Sequence, residues 1–233
     1  MVIPWRDEGD RGACLRFALR SLMNLPHHDV VVVGDLLPEW ATGIRNIVRD
    51  QDKNRYDDGQ ANVLTGLAHT DRDYAYIYHD DFIVTRPVDW IAPCHRGLLS
   101  DYRREGDYYR RAAVMRTYLV SQGVEHPQNF NMHLPFLVNT DTYLKIAEQT
   151  AHLPPGFRQS AYGNLAGLKT RFVYDPKVVA AGARPRSAWP VWSMSDRSFK
   201  SGYVGREVQR RFRTPSRYEV GSNQHSQEKD KQL

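Results

Sequence analysis

The chain has little cysteine and no long hydrophobic run. Cys14 and Cys94 are its only cysteines, and neither belongs to a CxxC or Cys/His spacing. We therefore expect two reduced thiols rather than a disulfide framework or a zinc site. The longest aliphatic run is VVVV at 30–33, far short of the roughly 20 residues that span a bilayer. The N-terminal MVIPWRDEGDRG carries charges where a signal peptide is apolar, so we expect a cytoplasmic protein with no membrane contact, located in the host cytoplasm if it comes from a phage.

The chain also lacks the motifs of several common enzyme classes. No GxGxxG follows VVVVGD and no GxxxxGK[ST] occurs. The sequence therefore lacks the main motifs of dinucleotide-dependent oxidoreductases and of P-loop NTPases. No GxSxG elbow supports a hydrolase of the serine type. The chemistry has to be sought in other residue patterns.

Strand and helix patterns alternate along the first half of the 233 residues. MVIPWR, DVVVVGDL and YAYIYHDD are typical of strands, while GACLRFALRSLMNL and DDGQANVLTGLAHT have apolar residues at helical spacing. This order predicts an α/β fold with a mostly parallel sheet flanked by helices, and with ligand sites beyond the carboxyl ends of the strands.

The second half of the chain is less regular. DYYRRAAVMRTYLVSQGV and NTDTYLKIAEQT are typical of helices, a basic helix is expected near 203–213, and KTRFVYDPKVV predicts one more strand. We expect this half to pack onto the first as a substrate-facing part of the same domain. The tail at 221–233 has no large apolar side chain except the last residue, so we expect it to be disordered.

Adjacent carboxylates follow the strand YAYIY. Asp80 and Asp81 come at its end, and Asp35 ends an earlier strand. Mg²⁺ and Mn²⁺ prefer carboxylate oxygens and keep positions open for water or phosphate, so the pair suits a nucleoside diphosphate bridged through the metal. The alternatives are a solvated turn, in which Asp81 caps the chain or pairs with Arg86, and a metal-dependent nuclease that uses all three aspartates.

Basic residues concentrate in the segment 182–217, within a chain of net charge +5. That segment predicts contact with the phosphates of a nucleotide or of nucleic acid, or else a solvated basic helix face. A DNA-binding module without enzymatic activity is therefore a third alternative. The nine basic residues are Arg184, Arg186, Arg197, Lys200, Arg206, Arg210, Arg211, Arg213 and Arg217.

The order VIPWR, helix, VVVVGD, helix, YIYHDDF resembles the nucleotide-binding half of GT-A glycosyltransferases, whose sheet carries a DXD-type metal motif at the end of its central strand. The second half resembles small phage and bacterial glycosyltransferases of this fold, akin to Stealth-type sugar-phosphate transferases and TET/JBP-associated glycosyltransferases. The matching pieces are NMHLPFLVNTDTYLKI, FRQSAYGNLAG, VYDPKV, SMSDRSF and RRFRTPSRYE. The resemblance covers most of 1–219. It implies one GT-A-like, Rossmann-like domain over 1–220, with a nucleotide-binding half at 1–95 and an acceptor-facing half at 96–220.

The resemblance assigns roles to the first-half residues. HDD, from His79 to Asp81, would be the DXD-type motif, although His79 stands where many relatives have Asp or Glu. Asp81 would ligate Mn²⁺ or Mg²⁺ directly and Asp80 would support it. Asp35 would flank the base or ribose of the donor, and Arg6 would meet the nucleotide.

In the second half, His133 is placed for another contact with metal or phosphate, unless a backbone carbonyl holds it in its loop. Arg158, Tyr162 and Asn164 combine a fork-shaped phosphate binder with two hydrogen-bonding side chains, which suits a substrate wall, although YGN is also typical of a turn.

Asp175 and Lys177 follow a predicted strand, where an acceptor hydroxyl could approach; a plain ion pair is the alternative. The implied reaction is transfer of a sugar from a donor such as a UDP-sugar to a hydroxyl group, with Asp175 as the candidate base and Arg158 or the basic segment aiding the leaving diphosphate. Aromatic residues interleaved with arginines in WPVWSMSDRSFKSGYVGREVQRRFR suit DNA as the acceptor. The resemblance to TET-associated relatives implies that the acceptor is a hydroxymethylated base. A protein or a polysaccharide is the other class of acceptor.

Overall fold

The computed structural model describes residues 1–51, 54–102, 105–185 and 189–221. Its strands are β1 (Val2–Trp5), β2 (Val31–Gly34), β3 (Arg45–Val48), β4 (Tyr74–Ile77), β5 (Phe82–Val84), β6 (Cys94–His95), β7 (Phe136–Asn139), β8 (Arg171–Phe172), β9 (Lys177–Val178) and β10 (Val191–Met194). Its α-helices are α1 (Ala13–Ser21), α2 (Arg55–Ala68), α3 (Asp107–Ser121), α4 (Thr140–Gln149), α5 (Arg158–Leu165), α6 (Asp196–Ser201) and α7 (Tyr203–Arg211). Single turns of 3-10 helix cover Leu22–Asn24 and Leu99–Asp101.

Five strands form the central sheet, in the order β3-β2-β1-β4-β7. β1 pairs in parallel with β2 and with β4, β2 pairs in parallel with β3, and β7 runs antiparallel to β4. Helix α1 connects β1 to β2, and α2 connects β3 to β4. The chain therefore has a mixed α/β fold with a mostly parallel sheet flanked by helices, compatible with a Rossmann-like fold, as the alternating pattern predicts.

Buried side chains form a hydrophobic cluster on each face of this sheet. Val2 belongs to one cluster and Ile3 to the other, because successive side chains of a strand point to opposite faces. The Ile3 cluster joins α1 to β5, β10, α6 and α7. The Val2 cluster joins α2 to α3, α4 and α5. Both clusters contain residues from 1–95 and from 96–220.

Two smaller sheets lie outside the central one. β10 pairs antiparallel with β5 and parallel with β9, and β6 pairs in parallel with β8. The prediction of one strand in KTRFVYDPKVV is wrong, because β8 and β9 are two-residue strands in different sheets. Pro176, which has no amide hydrogen to donate to a ladder, lies in the break between them.

The tail predicted to be disordered lies outside the described residues from position 222 onward, as does Arg186. None of the helices in the described ranges has the length and apolar character needed to cross a lipid bilayer.

Candidate functional site

The candidate site lies at the carboxyl edge of the central sheet. β1 lies between β2, to which the chain passes next, and β4 on its other side. The strand order therefore reverses at β1, and ligands of open α/β sheets bind beyond the strand ends at such a topological switch point. Val2 is in register with Ile77, so Asp80 follows Ile77 by as many residues as Trp5 follows Val2. The HDD segment therefore runs alongside the end of β1.

A tight turn holds the HDD segment in place. The Phe82 amide donates to the His79 carbonyl over 3.1 Å. The Tyr78 side chain is completely buried, and its hydroxyl donates to the Phe82 carbonyl over 2.8 Å. His79 packs its ring against Phe82 with centroids 5.1 Å apart. The turn is thus anchored in the core on one side and presents its two aspartates on the other.

Asp81 joins the end of β4 to the small sheet. Its Oδ2 accepts a hydrogen bond from the Lys177 ammonium, and another from Ser193 Oγ over 2.8 Å. Lys177 also donates to the Met194 carbonyl over 3.1 Å. The structure therefore replaces the suggested Asp81–Arg86 pair with an Asp81–Lys177 pair that connects residues 96 positions apart.

A second polar group adjoins the first through Lys177. The Lys177 amide donates to Asp175 over 3.2 Å, and the same carboxylate accepts from His133 Nδ1 over 2.8 Å and from Arg96 Nη1 over 2.5 Å. No described residue forms a hydrogen bond with His133 Nε2, and 41% of the His133 side chain is exposed. Asp175 thus orients the His133 ring through Nδ1 and leaves Nε2 open to a ligand.

The ionisation of these groups follows from burial and from their neighbours. Burial raises the pKa of Asp80 to about 8, and the charges of Asp81, Asp10 and Glu8 act in the same direction. Burial lowers the pKa of His79 to about 4, so its imidazole is neutral at pH 7.

The pKa of Asp175 is shifted in the opposite direction, below its ordinary value. Burial alone would raise its pKa, but its hydrogen bond with His133 and the charges of His133 and Arg96 outweigh burial and lower the pKa. A carboxylate so well paired is a weak base. Asp175 therefore holds the imidazole of His133 through Nδ1, and its role as the catalytic base stays a prediction.

Arg6 and Asp35 meet in a separate network at the ends of β1 and β2. Arg6 Nη2 donates to Asp58 over 2.7 Å and to the Gln51 carbonyl over 2.6 Å. The two oxygens of Asp35 accept from the Asp7 amide and from Gln51 Nε2, each over 2.7 Å. Gln51 therefore connects the two predicted nucleotide-binding residues.

The three residues predicted as a substrate wall have contacts inside the fold. Arg158 is buried and donates to the carbonyls of Thr150 and Leu153 after α4. The Tyr162 hydroxyl accepts from the Asn139 amide over 2.8 Å. The Asn164 side chain exchanges hydrogen bonds with the backbone of Gln128. These contacts hold α5 to its neighbours, so we leave the three residues out of the candidate site.

The basic segment is also largely engaged within the chain. Arg210 and Arg211 pair with Glu207 one turn earlier in α7. Arg184 lies over the Tyr203 ring, and Arg217 donates to the His28 carbonyl over 3.1 Å. The segment does not form one uninterrupted row of unpaired cations in the part of the chain that the structure describes.

The fit of a divalent cation depends on Asp80 and Asp81. Among the described residues, no group of three or more His, Cys, Asp or Glu side chains is placed to hold a metal ion. Mg²⁺ commonly binds through one or two carboxylates and completes its shell with water and substrate phosphates. A cation of that kind would take oxygens from Asp80 and Asp81 and its other ligands from water and the substrate.

Sequence reasoning missed several members of the site. Gln51, Asp58, Arg96 and Ser193 are distant in sequence from the residues that they contact, and none belongs to a motif. The one available signal was for Ser193, because it is the first residue of the piece SMSDRSF. Comparison with protein-family models gives no match, and comparison with curated proteins gives none either.

Proposed function

We propose that this protein is a glycosyltransferase of the GT-A type, which moves a sugar from a nucleoside-diphosphate donor to a hydroxyl group. The observation that carries the proposal is the convergence of three distant segments at the carboxyl edge of the sheet. They supply the Asp80–Asp81 pair, the Lys177 ammonium and the His133–Asp175 pair. Such a transfer needs positive charge for a leaving diphosphate and a base for an acceptor hydroxyl, and these groups offer both.

The nucleoside part of the donor belongs beside β1 and β2 in this proposal. Asp35 and Gln51 already exchange a hydrogen bond there, and Arg6 reaches the same loop. A ribose hydroxyl can both donate and accept, so it can join such a network without leaving a polar atom unpaired. Arg6 and Asp35 are thus assigned to nucleoside binding.

The diphosphate belongs beside the HDD turn. Lys177 pairs with Asp81, and its ammonium stabilises the negative charge that develops on the diphosphate as its bond to the sugar breaks. Mn²⁺ or Mg²⁺ held by Asp80 and Asp81 would supply further positive charge at the same place. Neutral His79 adds no repulsion to a cation there.

His133 is the proposed base. The acceptor oxygen forms a bond to the anomeric carbon, the bond from that carbon to the diphosphate oxygen breaks, and the acceptor proton passes to His133 Nε2. Asp175 holds Nδ1 of the same ring and stabilises the imidazolium that results. Asp175 contributes by orientation and charge rather than by accepting the proton itself.

The resemblance favours a hydroxymethylated base in DNA as the acceptor, in the cytoplasm of a host cell if a phage carries the gene. Protein and polysaccharide acceptors are the alternatives. The chemistry at His133 is the same for all three, because each presents a hydroxyl group.

Thermal shift with nucleoside diphosphates tests the proposal. UDP, GDP, CDP and TDP are screened with and without Mn²⁺, because a ligand that binds only the folded state raises the melting temperature. We expect a manganese-dependent shift with at least one of them, and we expect Asp81→Asn to remove it. The control is Asp71→Asn, since that side chain is 89% exposed and lies before β4, at the opposite end of the strand.

The same samples distinguish a glycosyltransferase from a nuclease and test the role of the HDD turn. Nicking of plasmid DNA with Mn²⁺ and no sugar donor would identify a nuclease. A normal diphosphate shift in Asp81→Asn would contradict the assignment of the HDD turn to the donor.

A further inference from the structure

A second cleft lies beside the candidate site and is not used by the proposed transfer. Its volume is about 640 Å³, within the range of ligand sites. Three of its aromatic side chains are strongly exposed, with Trp90 at 60%, Phe172 at 50% and Tyr174 at 74%. Trp189 lines it as well, with the Arg171 guanidinium 5.1 Å above its ring. Aromatic faces left in solvent are costly for a fold and useful for binding planar rings.

The chain connects the cleft directly to the His133–Asp175 pair. β8 carries Arg171 and Phe172, and the next residues along the chain are Val173, Tyr174 and Asp175 itself. The Val173 amide donates to the His95 carbonyl over 2.9 Å, which fixes this segment against β6. An aromatic wall thus ends at the carboxylate that orients His133.

The other wall leads to Asp81. β5 and β10 run antiparallel, with Phe82 opposite Ser193 and Val84 opposite Val191. Pro190 lines the cleft at one end of β10, and Ser193 donates to Asp81 towards the other end. Ser193 follows Pro190 by three positions along the strand, which is about 10 Å at roughly 3.3 Å per residue.

The side chains of the cleft favour nucleic acid over polysaccharide as its ligand. Its ten described lining residues include two arginines and no carboxylate or carboxamide side chain. Sugar hydroxyls donate as well as accept, and the Tyr174 hydroxyl is the one side-chain oxygen acceptor among those residues. Among the described lining residues a polysaccharide finds few side-chain acceptors for its hydroxyls, whereas phosphates accept from the arginines and bases stack on the rings.

We propose that this aromatic cleft binds an unpaired nucleic-acid strand and delivers it to His133. Bases in a duplex are stacked on each other, so their faces are available to Trp90, Phe172 and Tyr174 only in a single strand or after a base leaves the helix. The binding of a strand stands by itself, and its role as the acceptor rests on the proposed glycosyltransferase function.

Fluorescence anisotropy of a labelled oligothymidine tests strand binding. We expect the full-length protein to bind it more tightly than a duplex of the same length, and Tyr174→Ala to weaken binding by roughly one order of magnitude. The matched control is Tyr74→Ala, because Tyr74 is also strongly exposed, at 64%, but begins β4 at the opposite edge of the sheet. We expect Arg171→Ala to lower the slope of log affinity against log salt by about 0.7.

The outcomes separate this proposal from the transfer reaction. Absence of oligothymidine binding, equal weakening by Tyr74→Ala and Tyr174→Ala, or displacement of the strand by dextran would each overturn the cleft as a strand site. A manganese-dependent diphosphate shift that persists in Tyr174→Ala would then still support the donor site. Strand binding through Tyr174 without any diphosphate shift would support the cleft and overturn its role in sugar transfer.

Discussion

Asp80 makes the stability of this protein depend on pH. Its pKa in the folded chain is raised to about 8, while the ordinary value for aspartate is near 3.9. The folded state therefore binds more protons than the unfolded state between these values, so the free energy of unfolding falls as pH rises from about 4 to about 8.

The variant Asp80→Asn should remove this loss of stability. We expect its melting temperature, measured in EDTA, to exceed that of the wild type at pH 8 and to approach it at pH 5. Each kcal/mol of relief corresponds to roughly 2–4 °C in a chain of this size. A difference that is the same at both pH values would contradict the assigned ionisation of Asp80.

His133 offers a test of the proposed chemistry at a single atom. We expect His133→Gln to lower kcat for transfer by about 10² to 10⁴, the usual contribution of a general base, and to leave the diphosphate thermal shift unchanged. The control is His126→Gln, whose side chain is 74% exposed and pairs with Glu125. A loss of the diphosphate shift with His133→Gln would instead indicate that His133 binds the donor or its metal, as the resemblance suggested.

The sequence allowed part of this site to be predicted at the residue scale. Asp80, Asp81 and Asp35 were found because they follow apolar strands, and parallel strands bring their carboxyl ends to one edge. Arg158 was misleading, since a guanidinium that ends a neighbouring helix has the same signature as one that binds phosphate. Gln51 and Arg96 could not be found, because their role depends on which loops meet in three dimensions.

Helices and strands were predictable where their apolar pattern was strong. β1, β2, β4, α1 and α2 have clear periodicity and were all expected. β3 was missed because its sequence RNIV is partly charged and none of its residues is buried. The two-residue strands β8 and β9 are defined by their partners in other sheets, and a single sequence has no signal for such pairs.

Helix α2 contains two glycines in different surroundings. A Cβ on Gly66 would lie 2.3 Å from Cγ1 of Val2, because the helix packs closely on β1. A Cβ on Gly59 would meet no atom within 4 Å. The same substitution should therefore have opposite effects at these two positions, which are about two turns apart in one helix.

We expect Gly59→Ala to raise the free energy of unfolding by about 0.5–1 kcal/mol through its better helix propensity. Gly66→Ala has the same gain in propensity, but we expect a net loss of about 1–3 kcal/mol from the clash with Val2. Urea unfolding of both variants measures the difference. Equal effects at the two positions would show that α2 does not lie against β1 as described.

At the scale of the molecule, the two halves of the chain depend on each other. β7, from the second half, completes the central sheet beside β4, and both hydrophobic clusters mix residues from 1–95 and 96–220. The last described turn is also connected to the first helix. Glu219 is 3% exposed and accepts two hydrogen bonds from Arg20 of α1, over 2.8 and 2.7 Å.

This buried ion pair holds the C-terminal turn to the first helix. We expect Glu219→Gln to lower the free energy of unfolding by about 3–5 kcal/mol at pH 7, because Arg20 is left without its charge partner. Burial alone would raise the pKa of Glu219, but its hydrogen bonds with Arg20 and the Ser216 amide and the charges of Arg20 and Arg16 outweigh burial and lower the pKa. The stabilisation is then present above the ordinary glutamate pKa near 4.3 and is lost as pH falls through the lowered value.

Urea unfolding at pH 7 and pH 3 should show the stability of the variant approaching that of the wild type in acid. Glu125→Gln, whose side chain is 86% exposed, serves as the control. A destabilisation as large at pH 3 as at pH 7 would mean that Glu219 acts by its shape, and that its charge does not hold the C-terminal turn to α1.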